Sequence, residues 1–209
     1  MPHATATIRG AQGEETRTRL VEAAVSILEA GGEQAIRIRD IAAALGVSVG
    51  AVYHHFDGRE DLIVAARLAQ FEGVLVGDVD AVRELVANSS TVDEMRQGIR
   101  FLNRAAHSAA RAPFRRLRAE VAGVAHHNAA LAAEMSRVQA AYTDELTAAL
   151  QVAKDKGLGN PSLDPRAVAT FLQAIVLGLV LDDINLEQPM DREAWHALTD
   201  QMYDVLLAG

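Results

Sequence analysis

Residues 38–56 restrict the fold of this 209-residue chain more than any other stretch. Apolar residues recur there at the spacing of one helix face as far as Leu45, and Gly46 follows as a residue that can leave a helix with positive φ. Ser48 then stands where a side-chain oxygen can cap the next helix. The pattern predicts two short helices joined by a tight turn, a helix-turn-helix whose second helix can enter the major groove of DNA.

The neighbouring residues make this motif more specific. Residues 50–56 read Gly-Ala-Val-Tyr-His-His-Phe, and residues 59–62 read Arg-Glu-Asp-Leu. Together with the turn glycine and the capping serine, they resemble the DNA-binding segment of the tetracycline-repressor (TetR) family, over roughly residues 14–62. The resemblance implies a small DNA-binding head joined to a larger helical body that binds a small-molecule effector and forms a homodimer.

Composition favours an all-α chain. Half of the residues are apolar, only 4% are aromatic, and no Val/Ile-rich run alternates as a strand would. We expect about nine helices, with an N-terminal arm and helix-turn-helix domain at residues 1–58 and an effector-binding and dimerisation domain at residues 59–209. The absence of cysteine excludes disulfides and suits a reducing cytoplasm, and residues 1–13 lack the apolar segment of a secretory signal.

The charge is unevenly divided along the chain. Residues 1–59 hold six arginines and seven acidic residues, whereas the remainder holds 14 basic and 21 acidic residues. The body therefore carries most of the net charge of −8, and the head is close to neutral. We expect few phosphate contacts per subunit.

The resemblance implies that the second helix of the motif and its flanks contact DNA. Val49 and Ala51 stand where the family often carries Lys or Thr, so two hydrogen-bond donors are missing. Arg37 replaces the usual Ser or Thr cap of the first helix, which adds a cation near the expected path of a phosphate. The predicted DNA-binding residues are Arg37, Arg39, Ser48, Val49, Gly50, Ala51, Tyr53, His54, His55 and Arg59.

Residues 100–118 contain six arginines and no acid. One interpretation is a solvated basic face that balances acids elsewhere in the body. The other is that one or two of these arginines anchor an effector in an otherwise apolar cavity, in which case the effector is anionic or carries a carbonyl. The ligand-binding residues predicted on this second interpretation are Phe101, Arg104, His107, Phe114, Leu117, Arg118, Val121, Met135, Tyr142 and Phe171.

The last two predicted helices carry much apolar surface. One follows the capping pair Asp164-Pro165 and is apolar nearly all round over residues 167–181, a run too short for a membrane span. The resemblance implies that both helices pair with their symmetry mates in a four-helix bundle, whereas a monomer would bury them as core. The predicted interface residues are Leu172, Ile175, Val176, Leu179, Trp195, Leu198 and Met202.

Other chemistries have little support in the sequence. The pairs His54-His55 and His126-His127 are adjacent, so neither chelates as neighbours at i and i+4 do, and we predict no metal and no cofactor. No phosphate-binding loop or nucleophile elbow occurs, which argues against an enzyme. The resemblance implies a cytoplasmic repressor released from double-stranded operator DNA by a small hydrophobic effector, with no membrane association. The alternative is a helical small-molecule-binding or scaffold protein whose DNA-binding head has degenerated.

Overall fold

The computed structural model describes residues 3–125 and 129–207, which form α-helices and short 3-10 turns with no strand among them. The predicted all-α class is confirmed. Internal contacts divide the chain into unit 1, Met1–Glu72, and unit 2, Gly73–Gly209. The boundary thus lies inside a long helix, whereas the sequence analysis placed it ahead of that helix, at residue 58.

Unit 1 contains the predicted helix-turn-helix. Its helices are α1 (His3–Gly31), α2 (Ile38–Leu45), α3 (Val49–His55) and the first part of α4 (Arg59–Asn88), with a 3-10 turn at Glu33–Ala35. Between α2 and α3, Gly46 has φ 66°, the amide of Val47 donates to the carbonyl of Ala42 at 3.0 Å, and Ser48 Oγ accepts from the amide of Ala51 at 3.1 Å. The core beneath these helices is formed by Leu20, Ile36, Ile41, Val52 and Leu62, none more than 1% exposed.

Two local expectations for unit 1 have different outcomes. Arg37 occupies the N-cap position of α2, and among the described residues its side chain makes no capping hydrogen bond. This is the expected result of having arginine where the family usually has Ser or Thr. Residues 1–13, expected to form an arm, are helical from His3, so that expectation is wrong for the backbone. Alanine, arginine and glutamine in this segment have high helix propensity, which offsets the cost of its glycines.

Unit 2 contains the rest of α4 and six further helices. These are α5 (Val92–Ala106), α6 (Ala112–Ala125), α7 (Ala129–Asp155), α8 (Pro165–Gly178), α9 (Val180–Asp183) and α10 (Arg192–Leu207), with a 3-10 turn at Ala109–Arg111. Helix α7 packs on α8, and α10 packs on α5. The predicted cap of α8 is confirmed, because Asp164 accepts from the amide of Ala167 at 2.8 Å. At the start of α5, Thr91 and Glu94 form a capping box.

Polar contacts fix three of these helices. Asn103 on α5 donates to Thr199 Oγ1 and accepts from the Tyr203 hydroxyl, both at 2.9 Å, which ties α5 to α10 in a buried setting. Lys156 Nζ donates to the carbonyls of Val86 at 2.6 Å and Ser89 at 3.2 Å, and so satisfies the C-terminal end of α4.

The apolar stretch near the C-terminus departs from its predicted form. The expected single helix over residues 167–181 ends at Gly178, a weak helix former, and α9 follows as a separate turn. The whole stretch Pro165–Asp183 spans 19 residues with mean hydropathy 1.5 and is 17% buried, so by length and composition it could cross a membrane. Helix α8 alone has 14 residues, fewer than the roughly 20 that a membrane-spanning helix needs.

Candidate nucleic-acid interface and effector cavity

Helices α2 and α3 present an exposed polar face in unit 1. Among the predicted DNA-binding residues, Val49 is 37% exposed and Tyr53 is 54% exposed. Ala51 and His55 are half-buried. The other exposed members of the predicted set are Arg37, Arg39, Ser48, Gly50 and His54. The face thus combines two cations with hydroxyl and imidazole groups that can donate to phosphates or base edges.

Gly50 lies on the exposed surface of α3, and the protein's own packing does not require a glycine there. A Cβ added at this position would lie 3.8 Å from Ser48 Oγ, an ordinary van der Waals distance. Because nothing within the protein needs the space, the absent side chain leaves the α3 backbone accessible to a partner.

His55 is turned towards the rest of unit 1. A Cβ added at Gly13 of α1 would lie 3.9 Å from its Cε1, and its ring centroid is 5.2 Å from that of His54. On the same side, the Arg17 guanidinium lies over the Phe56 ring, 5.4 Å from the centroid. Of the two histidines, His54 is therefore the more available to a ligand outside the protein.

Arg59, expected to be a strong phosphate contact, is engaged within unit 1. Its Nε donates to the carbonyl of Ile36 at 3.0 Å, one terminal nitrogen donates to the carbonyl of Glu33 at 2.5 Å, and the other pairs with Glu60. These bonds fasten the 3-10 turn to the start of α4. Arg59 therefore joins two elements of the protein. Short-range sequence patterns could not indicate this role, because its carbonyl partners lie 23 and 26 residues earlier in the chain.

Unit 2 encloses a cavity of about 340 Å³. Its walls come from α4, α5, α6, α7, α8 and α10, from the 3-10 turn at Ala109–Arg111 and from the segment between α7 and α8, and they are mainly apolar. Representative lining residues are Leu75, Ile99, Leu146, Leu172 and Val176. This volume is in the range of small-molecule sites, at its lower end.

A polar group of side chains forms part of the cavity wall. Asp78 on α4 pairs with Arg111, and Tyr142 on α7 and Arg118 on α6 complete the set. Arg118 donates to Gln139 Oε1 at 2.7 Å and reaches Gln173 Oε1 at 3.5 Å. We call Asp78, Arg111, Arg118 and Tyr142 the polar cluster.

Burial perturbs the ionisation of this cluster. Burial raises the pKa of Tyr142 to about 12, with a further contribution from the nearby Asp78 carboxylate. Burial lowers the pKa of the Arg118 guanidinium and raises the pKa of the Asp78 carboxyl, although Arg111 opposes the latter shift. Tyr142 is therefore a neutral hydroxyl that can donate or accept a hydrogen bond at physiological pH.

The structure revises the predicted set of cavity residues. Of the predicted ligand-binding residues, Arg118 and Tyr142 line the cavity. Phe101 is 71% exposed, Phe114 is 38% exposed and lies under the Arg111 guanidinium, and neither lines this cavity. The other six residues expected on its walls are also absent from its lining: Arg104, His107, Leu117, Val121, Met135 and Phe171.

Several cavity residues escaped the sequence analysis. Arg111 belonged to the arginine-rich stretch without being singled out, and Asp78 is one of two carboxylates, with Asp80, in a mainly apolar part of α4. Gln173 interrupts the apolar helix α8, which was itself a signal for a polar function. Asn103 and Tyr203 also line the cavity. Their hydrogen bond joins α5 to α10, so no short-range sequence pattern indicated that they would meet.

Three of the six arginines in residues 100–118 pair with acidic residues elsewhere in unit 2. Arg100 and Arg104 on α5 pair with acids on α10, with 2.8 Å between Arg104 and Asp200 and 3.1 Å between Arg100 and Asp204, as the first interpretation expects. Arg115 pairs with Asp183 in the interior, with both side chains 3% exposed, so this pair is not part of a solvated face. Arg111 and Arg118 lie on the cavity wall.

The predicted interface residues fall into two groups. Leu198 on α10 is 51% exposed, and Ile175, Trp195 and Met202 are half-buried. Leu179 is only 4% exposed, and Leu172 and Val176 line the cavity, so these three face the interior of their own subunit. Exposed apolar residues that were not predicted are Leu177, Leu181, Ile184 and Val205.

The two histidine pairs are the sequence feature that could suggest a metal site. Within residues 3–125 and 129–207, no three His, Cys, Asp or Glu side chains come together as a group that could hold a metal ion. The pair His126-His127 lies outside the described residues.

Comparison with known proteins gives consistent matches. Residues 20–66 match the family model of bacterial regulatory proteins, tetR family. The chain is 28% identical over 183 residues to the HTH-type transcriptional regulator UidR of Escherichia coli K12, covering 88% of each protein. It is 30% identical over 91 residues to the HTH-type transcriptional repressor KstR of Mycolicibacterium smegmatis, covering 44% of this chain and 43% of that one. A TetR-family regulator from Mesorhizobium loti has a similar fold, with a TM-score of 0.62, 17% identity, and coverage of 94% and 96%.

Proposed function

Because the chain is a transcriptional regulator of the TetR family and not an enzyme, we propose that it is a homodimeric repressor controlled by a small molecule. In this proposal, α2 and α3 bind double-stranded operator DNA, and an effector in the unit 2 cavity releases the protein from it. The observation that carries the proposal is that one chain combines an exposed helix-turn-helix face with an apolar cavity that has a polar cluster in its wall.

Helix α4 is the element through which we propose that the effector acts. Its first residue, Arg59, bonds to the 3-10 turn of unit 1, and Asp78 of the same helix belongs to the polar cluster. An effector can change DNA affinity only if it binds the DNA-bound and released conformations with different affinities. Contact with Asp78 supplies such a difference if this part of α4 moves between the two conformations.

Exposed apolar residues on α8, α9 and α10 support the homodimer. Leu177 is 37% exposed, Leu181 72%, Leu198 51% and Val205 60%. Apolar surface of this kind commonly marks an interface. We therefore attribute the apolar stretch Pro165–Asp183 to subunit contact, and expect the two heads of a dimer to reach successive major grooves about 34 Å apart.

Dimer disruption tests this assignment. Leu198→Arg places a charge in the proposed interface, so we expect a monomer whose affinity for operator DNA is at least about tenfold lower. Molar mass from light scattering after gel filtration measures the first effect. Val152→Arg, at a position that is 50% exposed on α7, is the control and should remain dimeric. A dimeric Leu198→Arg protein would contradict this interface.

The DNA-binding role is tested by footprinting and mobility shifts on DNA that flanks the gene for this chain. We expect a protected site at moderate salt that is lost when a cognate effector is added. The competing hypothesis is a small-molecule-binding protein with a degenerate head, and it is favoured by the exposed, donor-free side chain of Val49. Binding with no sequence preference would support this alternative over the repressor.

Arg39 provides a sharper test of the DNA-binding face. Arg39→Ala should weaken binding to all DNA sequences by a similar factor, because phosphate contacts carry no base information. The slope of log K against log salt concentration should fall by about 1, the loss of one phosphate contact. Arg116→Ala, an exposed arginine of unit 2, is the control and should leave the slope unchanged. An unaltered slope in Arg39→Ala would remove Arg39 from the interface.

A further inference from the structure

The cavity of unit 2 is basic although the region around it is acidic. Its lining contains three cationic side chains, Arg111, Arg118 and Lys154, and one carboxylate, Asp78. Residues 60–209 as a whole contain 14 basic and 21 acidic residues. The excess of positive charge is therefore a property of the cavity itself, and it is opposite in sign to the net charge of the region.

The positive charge lies in surroundings that solvate it poorly. Most of the lining is aliphatic, and burial lowers the pKa of Arg118, which means that the charged guanidinium is disfavoured there. Arg111 pairs with Asp78, and Arg118 donates to Gln139 Oε1 at 2.7 Å. An anion bound beside Arg118 would offset the desolvation of that charge.

The remaining members of the polar cluster restrict the kind of anion. The Asp78 carboxylate lies in the same cluster, so a second negative charge on the ligand would be repelled. A phosphate monoester carries nearly two charges at neutral pH and is disfavoured, whereas a carboxylate carries one. The planar guanidinium of Arg118 also matches the geometry of a carboxylate, and the neutral Tyr142 hydroxyl supplies a further donor.

We propose that the effector of this chain is a small monocarboxylate with an apolar body, its carboxylate bound by Arg118 and Tyr142 beside the Asp78–Arg111 pair. The apolar body packs on the aliphatic walls formed by residues such as Leu75, Leu146 and Val176. The volume of about 340 Å³ fits a small ligand. This inference rests on the proposed function, because it names the ligand class of the same cavity.

Calorimetric titration with probes of equal chain length tests the charge preference. The probes are octanoate, 1-octanol and octylammonium, with hexanoate and decanoate to vary the length. We expect octanoate to bind at least about tenfold more tightly than octanol, and octylammonium to bind most weakly. Equal affinities for octanoate and octanol, or no binding by any of the three carboxylates, would overturn the inference.

Matched variants assign the preference to the polar cluster. Arg118→Met should bind octanoate and octanol equally, whereas Arg116→Met removes an exposed arginine two positions earlier and should keep the full preference for octanoate. Tyr142→Phe preserves the shape of the site and should weaken octanoate binding by a few-fold, which keeps the test decisive if Arg118→Met does not fold. Retention of the octanoate preference in both Arg118→Met and Tyr142→Phe would show that the cluster is not the anion site.

Operator binding measured with the same probes separates this inference from the proposed function. Release from DNA by octanol and octanoate alike would support a ligand-responsive repressor and overturn the carboxylate inference. Preferential binding of octanoate with no change in DNA affinity would support the carboxylate site and contradict effector control.

Discussion

Replacing Arg115 by methionine is expected to lower the free energy of unfolding by about 3–5 kcal/mol, the usual cost of leaving a buried charge without its partner. The side chains of Arg115 and Asp183 are each only 3% exposed. Two parallel bonds of 2.7 Å join them, from Nε to Oδ2 and from a terminal nitrogen to Oδ1. The other terminal nitrogen donates to the carbonyl of Ala106 at 2.8 Å, so one guanidinium holds α9 and the end of α5 together.

The charge of Asp183 makes the loss severe. The Arg115 guanidinium, by its hydrogen bonds, holds the pKa of the Asp183 carboxyl below its usual value, so the carboxylate is ionised at neutral pH. In Arg115→Met that charge loses its hydrogen-bonded guanidinium, and only the weaker charge interactions with Arg116 and Arg192 remain to offset it. Urea denaturation followed by circular dichroism measures the change, and Arg116→Met, at an exposed position next in sequence, should unfold within about 0.5 kcal/mol of the parent.

A double-mutant cycle separates the ion pair from simple loss of packing. Arg115→Met combined with Asp183→Leu replaces both charges by apolar groups and should be more stable than Arg115→Met alone, because no unpaired charge is left. If the double variant were as unstable as the sum of the single variants, the two side chains would not be coupled. The pair would then have to be regarded as two independent packing residues.

Features specified by short-range patterns were predictable from sequence. The turn at Gly46, the cap at Ser48 and the capping box at Thr91 each depend on residues within a few positions, and the structure contains all three. The helix-turn-helix follows from such local signals, because turn and cap chemistry acts on the adjacent backbone. The exposed face of α2 and α3 was likewise accessible from the sequence.

The cavity was less predictable because its walls come from distant segments. Phe101 and Ile99 lie two residues apart on α5, yet Ile99 lines the cavity and Phe101 is 71% exposed. The aromatic character of Phe101 suggested the wrong face of α5. Which face of α5 lines the cavity is decided only by the position of α10 against it. The same limit applies to Arg111, whose partner Asp78 is 33 residues away in the chain.

Two polar interruptions could have improved the prediction. Asp78 and Gln173 each lie in a mainly apolar stretch of helix, and both line the cavity. A buried polar side chain in such a stretch requires a hydrogen-bonding partner, and Gln173 has one in Thr143, at 3.2 Å. Polar residues within apolar runs are thus better guides to this site than the aromatic residues were.

A buried histidine in unit 2 leads to a different prediction, for the pH dependence of stability. His107 is 1% exposed, and Trp195 Nε1 donates to its Nδ1 at 2.8 Å. The proton of the neutral ring is therefore on Nε2, which has no hydrogen-bond partner among the described residues. Burial, together with the charges of the nearby His196, Arg115 and Arg192, lowers the pKa of His107 to about 4.

The sign of the effect follows from the two protonation states. The unfolded chain takes up a proton at His107 near pH 6.5, whereas the folded chain does so only near pH 4. Stability from this residue is thus fully present above about pH 6.5 and falls as the pH is lowered towards 4. The total loss over this interval is about 3 kcal/mol, from the difference of the two pKa values.

His107→Gln isolates this contribution, since glutamine keeps an acceptor for the Trp195 indole and does not titrate. The free energy of unfolding of the parent should fall more steeply between pH 6.5 and 4 than that of His107→Gln, with a divergence of about 3 kcal/mol at the acidic end. Trp195 is the one tryptophan of the chain, so its fluorescence reports unfolding at the site of the hydrogen bond. Parallel curves for the two proteins would show that His107 does not resist protonation in the folded state, because only a depressed pKa makes them diverge.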